Sequence, residues 1–200
     1  MPDTELKFIV EHNAGKMAKW LRMAGFDARL FTGADDAALL SAALAENRIL
    51  LTRDRRIMKR RVIVGGRIKA ILIESDRVHA QVQQVLSALK VDKSRFRPFT
   101  LCLECNRRLE ERVKETIKNR VPPYVYLTQE HFAECPACDR IYWQGTHWQA
   151  MLREIEGTLS FGPDFRDEPM GELSKTPTTD ECGICSGAAV TGQRKFSGKR

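Results

Sequence analysis

The sequence predicts an α/β fold, with a largely parallel sheet flanked by helices, followed by a small module built on two cysteine pairs. Through residues 1–95, short β-branched or aliphatic runs alternate with helical patterns, as in strand–helix–strand units. Two Cys-x-x-Cys pairs then fall within residues 96–156. Residues 157–200 gather Gly, Ser, Thr and Pro without sustained periodicity, which predicts a disordered tail. We therefore divide the chain into these three parts.

Four strands and three helices are predicted in the first part. The strands are expected at residues 6–10, 28–32, 48–52 and 68–73, and the helices at 14–26, 36–46 and 78–89. The first helix has an apolar face, and Lys16, Lys19 and Arg22 form a basic arc beside it at about 100° per residue. That arc is free to face solvent or phosphate.

The second part has a different pattern. Residues 92–98 are predicted to be a linker, 107–118 a helix, 124–127 and 141–143 strands, and 148–155 a closing helix. The ligand set within it consists of Cys102, Cys105, Cys135 and Cys138. Four thiolates delivered by two tight turns suit a tetrahedral zinc ion, so structural Zn²⁺ in a zinc ribbon is predicted.

Two disulfides or four free thiols are the alternatives to zinc. Disulfides belong to exported proteins, and the N-terminal segment lacks a basic stretch followed by an apolar core. No apolar run approaches the length needed to span a bilayer. A cytoplasmic location without a membrane partner is therefore predicted. A third pair, Cys182 and Cys185, supplies half a site, and we expect no stable intramolecular site there.

The net charge of +7 is unevenly distributed. Residues 1–95 contain 18 Lys and Arg against 11 Asp and Glu, whereas the counts balance at 9 each in 96–156 and at 6 each in 157–200. A basic domain favours a polyanionic partner, because neutralisation of phosphates by Lys and Arg drives nucleic-acid binding. The alternative is a basic surface that serves only solubility.

Carboxylates follow the predicted strands. Glu11 follows the first strand, Asp36 opens the helix after the second, Asp54 follows the third and Asp76 the fourth. Ligands collect beyond the carboxyl ends of parallel strands, and converging carboxylates repel one another unless a cation lies among them. An oxygen-rich site of this kind suits Mg²⁺ or Mn²⁺, which activate water for attack on phosphodiesters. The alternatives are local, with Asp36 as a helix cap and Asp76 at the start of the next helix.

Six basic residues within nine positions surround Asp54. The run starts with Arg53 and Arg55 and ends with Arg61. Such a run would bring a phosphate backbone towards a cation at Asp54, although a solvated helix face is the usual explanation for a charge run.

Several segments, in order, resemble the Mut-seven-C RNase family. They are residues 8–11, 15–27 and 48–54, the two cysteine pairs with Asn106, and residues 142–147. The resemblance covers about residues 6–156 and implies a PIN-like nuclease domain joined to a zinc ribbon. It implies a metal-dependent ribonuclease with Glu11, Asp36 and Asp54 at its acidic site and zinc on the four cysteines.

Our leading hypothesis is an endoribonuclease that uses Mg²⁺ or Mn²⁺ to hydrolyse RNA. Its substrate-binding residues are predicted to be Lys16, Lys19, Arg22, Arg53 and Arg55. The zinc ribbon is expected to aid the binding of RNA or of a partner.

One residue departs from the family pattern. The pattern of the family that this chain resembles has Asp at the position of Glu11. The extra methylene of Glu moves the carboxylate oxygens by roughly one C–C bond, and metal-assisted chemistry tolerates such a displacement poorly. A catalytically weak or inactive RNA-binding or adaptor protein, whose zinc ribbon recognises RNA or a ribosomal partner, is therefore the rival hypothesis. A toxin paired with an antitoxin protein is a third.

Overall fold

The computed structural model describes residues 5–33 and 35–158. Over these residues the chain forms a four-stranded parallel sheet flanked by helices and a three-stranded antiparallel sheet. The predicted α/β class is confirmed. In the same residues, no helix combines the length and apolarity needed to cross a membrane. The predicted tail beyond Thr158, with Cys182 and Cys185, lies outside the described residues.

The parallel sheet contains all four predicted strands. They are β1 (Lys7–Glu11), β2 (Asp27–Phe31), β3 (Ile49–Thr52) and β4 (Ala70–Leu72), in the order β2-β1-β3-β4. Because β2 lies on one side of β1 and β3 on the other, the winding of the chain reverses between the two central strands. The crevice beyond their carboxyl ends is the place where such sheets bind ligands.

Five helices connect and follow these strands. They are α1 (Gly15–Met23), α2 (Asp36–Ala45), α3 (Arg55–Met58), α4 (Arg61–Val64) and α5 (Val78–Ala88). A short 3-10 turn, His12–Ala14, separates β1 from α1. The three longer helices match the predictions. Helices α3 and α4 were not predicted, because each is about one turn long and too short to show a period of 3.6 residues.

The two faces of the sheet are covered by different helices. Ile9 shares a buried cluster with residues of α2 and α3, whereas Phe8 and Val10 share one with residues of α1 and α5. Side chains along a strand alternate between faces, so Glu11 belongs to the same face as Ile9. The helices on that face, α2 and α3, begin at the carboxyl edge of the sheet.

The second part forms the antiparallel sheet and two further helices. Its elements are β5 (Glu110–Arg112), α6 (Pro123–Thr128), β6 (Phe132–Glu134), β7 (Ile141–Trp143) and α7 (Thr146–Thr158), with strands in the order β5-β6-β7. We call residues 101–143 the four-cysteine module. The predicted strand at 141–143 and the closing helix are confirmed.

Two predictions within the module are wrong. Residues 107–118 contain β5 and a 3-10 turn, Lys114–Ile117, instead of a helix, because β5 pairs along its length with β6. Residues 124–127 lie in helix α6 instead of a strand. Pro123 stands at the first helical position, where its fixed φ favours helix formation, and a short apolar run does not by itself distinguish strand from helix.

Helix α7 returns to the first part of the chain. Trp148 of α7 belongs to the same buried cluster as Val82 of α5, and so does Leu103 from the first cysteine turn. His79 Nδ1 of α5 lies 3.0 Å from a carboxylate oxygen of Glu154 on α7. One continuous core therefore joins the parallel sheet to the flanks of the four-cysteine module.

Candidate functional site

The four predicted zinc ligands meet at one point. Their Sγ atoms all lie within 4.8 Å of one another, with 3.6 Å between Cys102 and Cys138 and 3.3 Å between Cys105 and Cys135. Sulfur ligands about 2.3 Å from a tetrahedral ion stand about 3.8 Å apart. The cluster therefore fits a structural zinc ion, and none of the four cysteines is in a disulfide.

The two cysteine turns are built alike. The backbone N–H of Cys102 donates to the carbonyl five residues later (2.7 Å), and the N–H of Asn106 donates back to Cys102 (3.0 Å). Cys135 and Asp139 repeat both bonds at 2.9 Å. Asn106 (φ 64°) and Asp139 (φ 54°) adopt left-handed backbone angles, which Asn and Asp tolerate better than most residues. Local backbone hydrogen bonds thus hold each turn in a conformation that directs its two cysteine sulfurs towards the shared cluster.

Tyr142 supports the cluster from β7. Its hydroxyl lies 3.1 Å from the Cys102 sulfur. Burial opposes ionisation of this thiol, but the bond from Tyr142 and contacts with neighbouring groups of the cluster hold the pKa of Cys102 below its usual value. A hydroxyl donor to a metal thiolate is a common outer contact that orients the ligand.

Arg22 does not occupy the place predicted from the helical pattern. It is only 4% exposed, and its guanidinium donates to the carbonyls of Ala28 (2.7 Å), Leu103 (2.7 Å) and Glu104 (2.9 Å). The prediction that Arg22 binds substrate is therefore wrong, because the first cysteine turn covers this part of α1. Burial also lowers the pKa of Arg22.

A second set of polar contacts fixes the same turn against β2. The Oδ1 of Asn106 accepts the N–H of Ala28 (3.1 Å), and its Nδ2 bonds to Asp27. The guanidinium of Arg48 donates two hydrogen bonds to the carboxylate of Asp27, at 2.7 and 3.1 Å. Burial would raise the pKa of Asp27, but the bonds from Arg48 and Asn106 outweigh it and lower this pKa. Sequence reasoning missed this cluster, since its members are far apart along the chain.

Glu11 and Asp54 meet at Thr52, where β1 and β3 end side by side. Thr52 is fully buried and donates its hydroxyl to Glu11 Oε2 at 2.6 Å. The same hydroxyl accepts the backbone N–H of Asp54 at 3.0 Å. Asn13 also donates to Glu11, at 3.2 Å. The Thr52 hydroxyl therefore links the carboxylate of Glu11 to the backbone of Asp54. Sequence reasoning had treated this threonine only as a strand residue.

Asp54 also caps helix α3. Its carboxylate accepts the backbone N–H of Arg56 at 2.6 Å and the guanidinium of Arg56 at 3.0 Å. These bonds lower the pKa of Asp54, so it is ionised at neutral pH.

Asp36 stands at the start of α2 without capping it. The cap is Asp35, whose oxygens accept the N–H groups of Ala37 (3.0 Å) and Ala38 (3.2 Å). The alternative role of Asp36 as a cap is therefore wrong. Its carboxylate instead pairs with Arg60 at 3.2 Å.

We call Glu11, Asp36 and Asp54 the acidic edge. Their oxygens suit Mg²⁺ or Mn²⁺, but the three carboxylates do not all lie within 4.8 Å of one another. Among the described residues, the four cysteines are the only group of three or more potential ligands within 4.8 Å of one another. Oxygens that share one Mg²⁺ at about 2.1 Å lie within about 4.2 Å. Asp36 and Asp54 each have an arginine partner instead. Asp76, which is 85% exposed and paired with Arg53, lies outside this arrangement.

The remaining predicted substrate-binding residues occupy different positions. Lys16 is exposed on the first turn of α1, just after β1 and its 3-10 turn, and Arg55 is exposed at the start of α3. Arg53 pairs with Asp76. Lys19 pairs with Glu104 at 2.5 Å and so contributes to docking the first cysteine turn.

Comparison with known proteins adds one finding. No curated protein and no solved structure matches the chain. The family model of the Mut7-C RNAse domain matches residues 6–155, which include both the acidic edge and the four-cysteine cluster. The chain therefore belongs to the Mut7-C RNase domain family.

Proposed function

We propose that the protein is a metal-dependent endoribonuclease that hydrolyses RNA at the acidic edge. The observation that supports this proposal is the junction at Thr52, whose hydroxyl bonds to the Glu11 carboxylate and to the backbone N–H of Asp54 where the sheet changes its direction of winding. Membership of an RNase domain family supports a nuclease at this position. A PIN-like identity of the parallel-sheet domain is part of the same proposal.

In this proposal Glu11, Asp36 and Asp54 would hold Mg²⁺ or Mn²⁺. The ion supplies an activated water and neutralises charge on the phosphate. The Thr52 hydroxyl fixes the orientation of Glu11, and the low pKa of Asp54 keeps it ionised. Lys16, Arg53 and Arg55 would position the RNA backbone from the two sides of the edge. Their long cationic side chains suit phosphate oxygens.

The four-cysteine module has a supporting role in this proposal. Zn²⁺ on the four thiolates would hold the first turn against α1 and β2, and the module would aid the binding of RNA or of a ribosomal or antitoxin-like protein. Free thiols poised for a metal suit a reducing compartment, so we place the protein in the cytoplasm.

RNA cleavage by the purified full chain tests the proposal. Wild type should cut RNA with Mg²⁺ or Mn²⁺ and not with EDTA. Asp54→Asn keeps a side chain that caps α3 but removes the charge, so the cleavage rate should fall by about 100-fold or more. Glu74→Gln is the control and should leave the rate within about twofold, because the exposed Glu74 carboxylate lies outside the junction and makes no ion pair with a described residue. Equal rates for Asp54→Asn and wild type would refute the assignment.

A catalytically weak RNA-binding protein is the second candidate. The observation that favours it is Glu11, which is longer than the Asp of the family pattern and is already engaged by Thr52 and the backbone N–H of Arg53 (3.3 Å). Binding of RNA with no Mg²⁺-dependent cleavage over hours would select this candidate over the nuclease.

A further inference from the structure

The segment from residue 53 to residue 69, which we call the arginine arm, carries α3 and α4 beside the acidic edge. It contains eight basic residues and a single acidic one, Asp54. The basic residues divide into two sets by their partners. Three are paired with carboxylates, namely Arg53 with Asp76, Arg56 with Asp54 and Arg60 with Asp36. The other five make no ion pair with any described residue, namely Arg55, Lys59, Arg61, Arg67 and Lys69.

Two of the paired arginines hold the carboxylates that a divalent cation would need. Arg56 donates to Oδ1 of Asp54 at 3.3 Å and to Oδ2 at 3.0 Å, and Arg60 lies 3.2 Å from Asp36. Both guanidinium groups reach inward from exposed side chains, with 90% of Arg56 and 54% of Arg60 accessible to solvent. The two arginines therefore neutralise the carboxylates of Asp54 and Asp36, and their exposure leaves room for the side chains to turn towards solvent.

We propose that Arg56 and Arg60 exchange partners, holding Asp54 and Asp36 until a divalent cation takes those carboxylates and then binding RNA phosphates. This inference rests on the cation site of the proposed function, but it concerns how cation and RNA binding are coupled.

The physical basis is competition for the same oxygens. A cation about 2.1 Å from a carboxylate oxygen weakens the guanidinium bond to the same carboxylate, because the two positive groups repel one another and share one negative charge. Exposed ion pairs are weak, so their exchange meets little resistance. A released guanidinium presents a planar fork that matches phosphate oxygens. The cation thus converts two internally neutralised arginines into phosphate ligands.

Coupling between two ligands is reciprocal. A cation that frees Arg56 and Arg60 tightens RNA binding, and bound RNA tightens cation binding by the same factor. The unpaired residues of the arm contribute to RNA binding under both conditions, since they have no carboxylate to leave. The two sets therefore differ in a way that can be measured.

Fluorescence anisotropy with a labelled single-stranded RNA measures the first consequence. Wild type in Ca²⁺ should bind about 5-fold to 20-fold more tightly than in EDTA at the same ionic strength, with the RNA verified intact by gel. Arg56→Gln/Arg60→Gln should show a gain below about twofold. The control, Lys59→Gln/Arg61→Gln, should bind more weakly in both conditions and keep the full gain. A gain in Arg56→Gln/Arg60→Gln equal to that of wild type, or no gain in wild type, would overturn the proposal.

Mn²⁺ titration followed by electron paramagnetic resonance measures the second consequence. Without RNA, Arg56→Gln/Arg60→Gln should bind Mn²⁺ about threefold or more tightly than wild type, because no guanidinium competes for the carboxylates. Unchanged or weaker Mn²⁺ binding would contradict the exchange. These measurements need no cleavage, so coupling without nuclease activity would refute only the proposed function, and cleavage without coupling would refute only this inference.

Discussion

Arg22 joins two parts of the chain at the scale of one residue. Its guanidinium satisfies three backbone carbonyls, two of them in the first cysteine turn. Charge-assisted bonds of this kind are stronger than neutral ones, and carbonyls that lose a buried donor remain desolvated without a partner.

Replacement of this side chain should be costly. We expect Arg22→Met, which keeps the apolar stem but removes the donors, to lower the free energy of unfolding by about 2–4 kcal/mol. The measurement is urea denaturation of the zinc-loaded protein.

Lys19 offers a matched control on the same helix. Its ion pair with Glu104 is half exposed, so Lys19→Met should change the free energy of unfolding by less than about 1 kcal/mol. Similar losses of unfolding free energy in both variants would show that the buried bonds of Arg22 stabilise the fold no more than the exposed ion pair of Lys19.

Prediction at the residue scale depended on how local each contact is. The positions of Glu11 and Asp54 at the ends of β1 and β3 were predicted from sequence, because strand ends are visible as the points where apolar runs stop. Arg22 was wrongly predicted to be exposed. A helical pattern shows which residues lie on the same side of a helix, but it does not show which of them are covered by another segment of the chain. Thr52 reads as an ordinary strand residue until β1 is seen beside it.

At the scale of elements, the turn from α1 into β2 depends on one glycine. Gly25 has φ of +92°, and a Cβ placed there would lie 2.2 Å from the carbonyl oxygen of Arg97. The N–H of Arg97 also donates to Ala24 at 3.0 Å. The linker before the cysteine module is thus pressed directly against this turn.

Gly25→Ala should therefore be strongly destabilising. We expect a loss of about 3 kcal/mol or more in the free energy of unfolding, because the substitution combines an unfavourable φ with a backbone clash.

Gly66 separates these two causes. It has φ of +73° but open space around the position of a Cβ, so Gly66→Ala should cost only about 1 kcal/mol. Denaturant titration of both variants measures the difference, and equal losses would show that the clash at Gly25 is relieved without cost.

Element prediction succeeded where a periodic pattern was long enough. The strands of the parallel sheet and helices α1, α2 and α5 follow from runs of several residues. Helices α3 and α4 are single turns, and α6 presents a strand-like sequence that becomes helical after Pro123. In β5, charged residues were taken for a helix because only pairing with β6 makes them a strand.

At the scale of the whole molecule, zinc should support more than its own module. Leu103 of the first cysteine turn and Trp148 of α7 belong to the cluster that contains the core of α1 and α5. Loss of the turn would expose part of that core, because metal binding and folding of such modules are coupled.

Zinc analysis and chelation test this expectation. Cys182→Ser/Cys185→Ser, which lacks the pair outside the described residues, should contain about one Zn²⁺ per chain. Chelation should abolish the near-ultraviolet circular dichroism of the module and lower the melting temperature of the whole chain by several degrees. Cys102→Ser should resemble the chelated protein. Freshly purified protein without zinc, or an unchanged melting temperature after chelation, would contradict the prediction.

Local patterns along the chain are enough to predict the α/β class, the order of the main elements, the four cysteines of one cluster and the carboxylates at the strand ends. These follow from periodicity and spacing, which are properties of short segments. Which charges face one another depends on the packed fold. It buried Arg22, joined Glu11 to Asp54 through Thr52, and set Arg56 and Arg60 against the acidic edge. Such pairings depend on the sheet order and on the docking of the cysteine turn, because electrostatic and hydrogen-bonding contacts act between groups that are close in space whatever their distance along the chain.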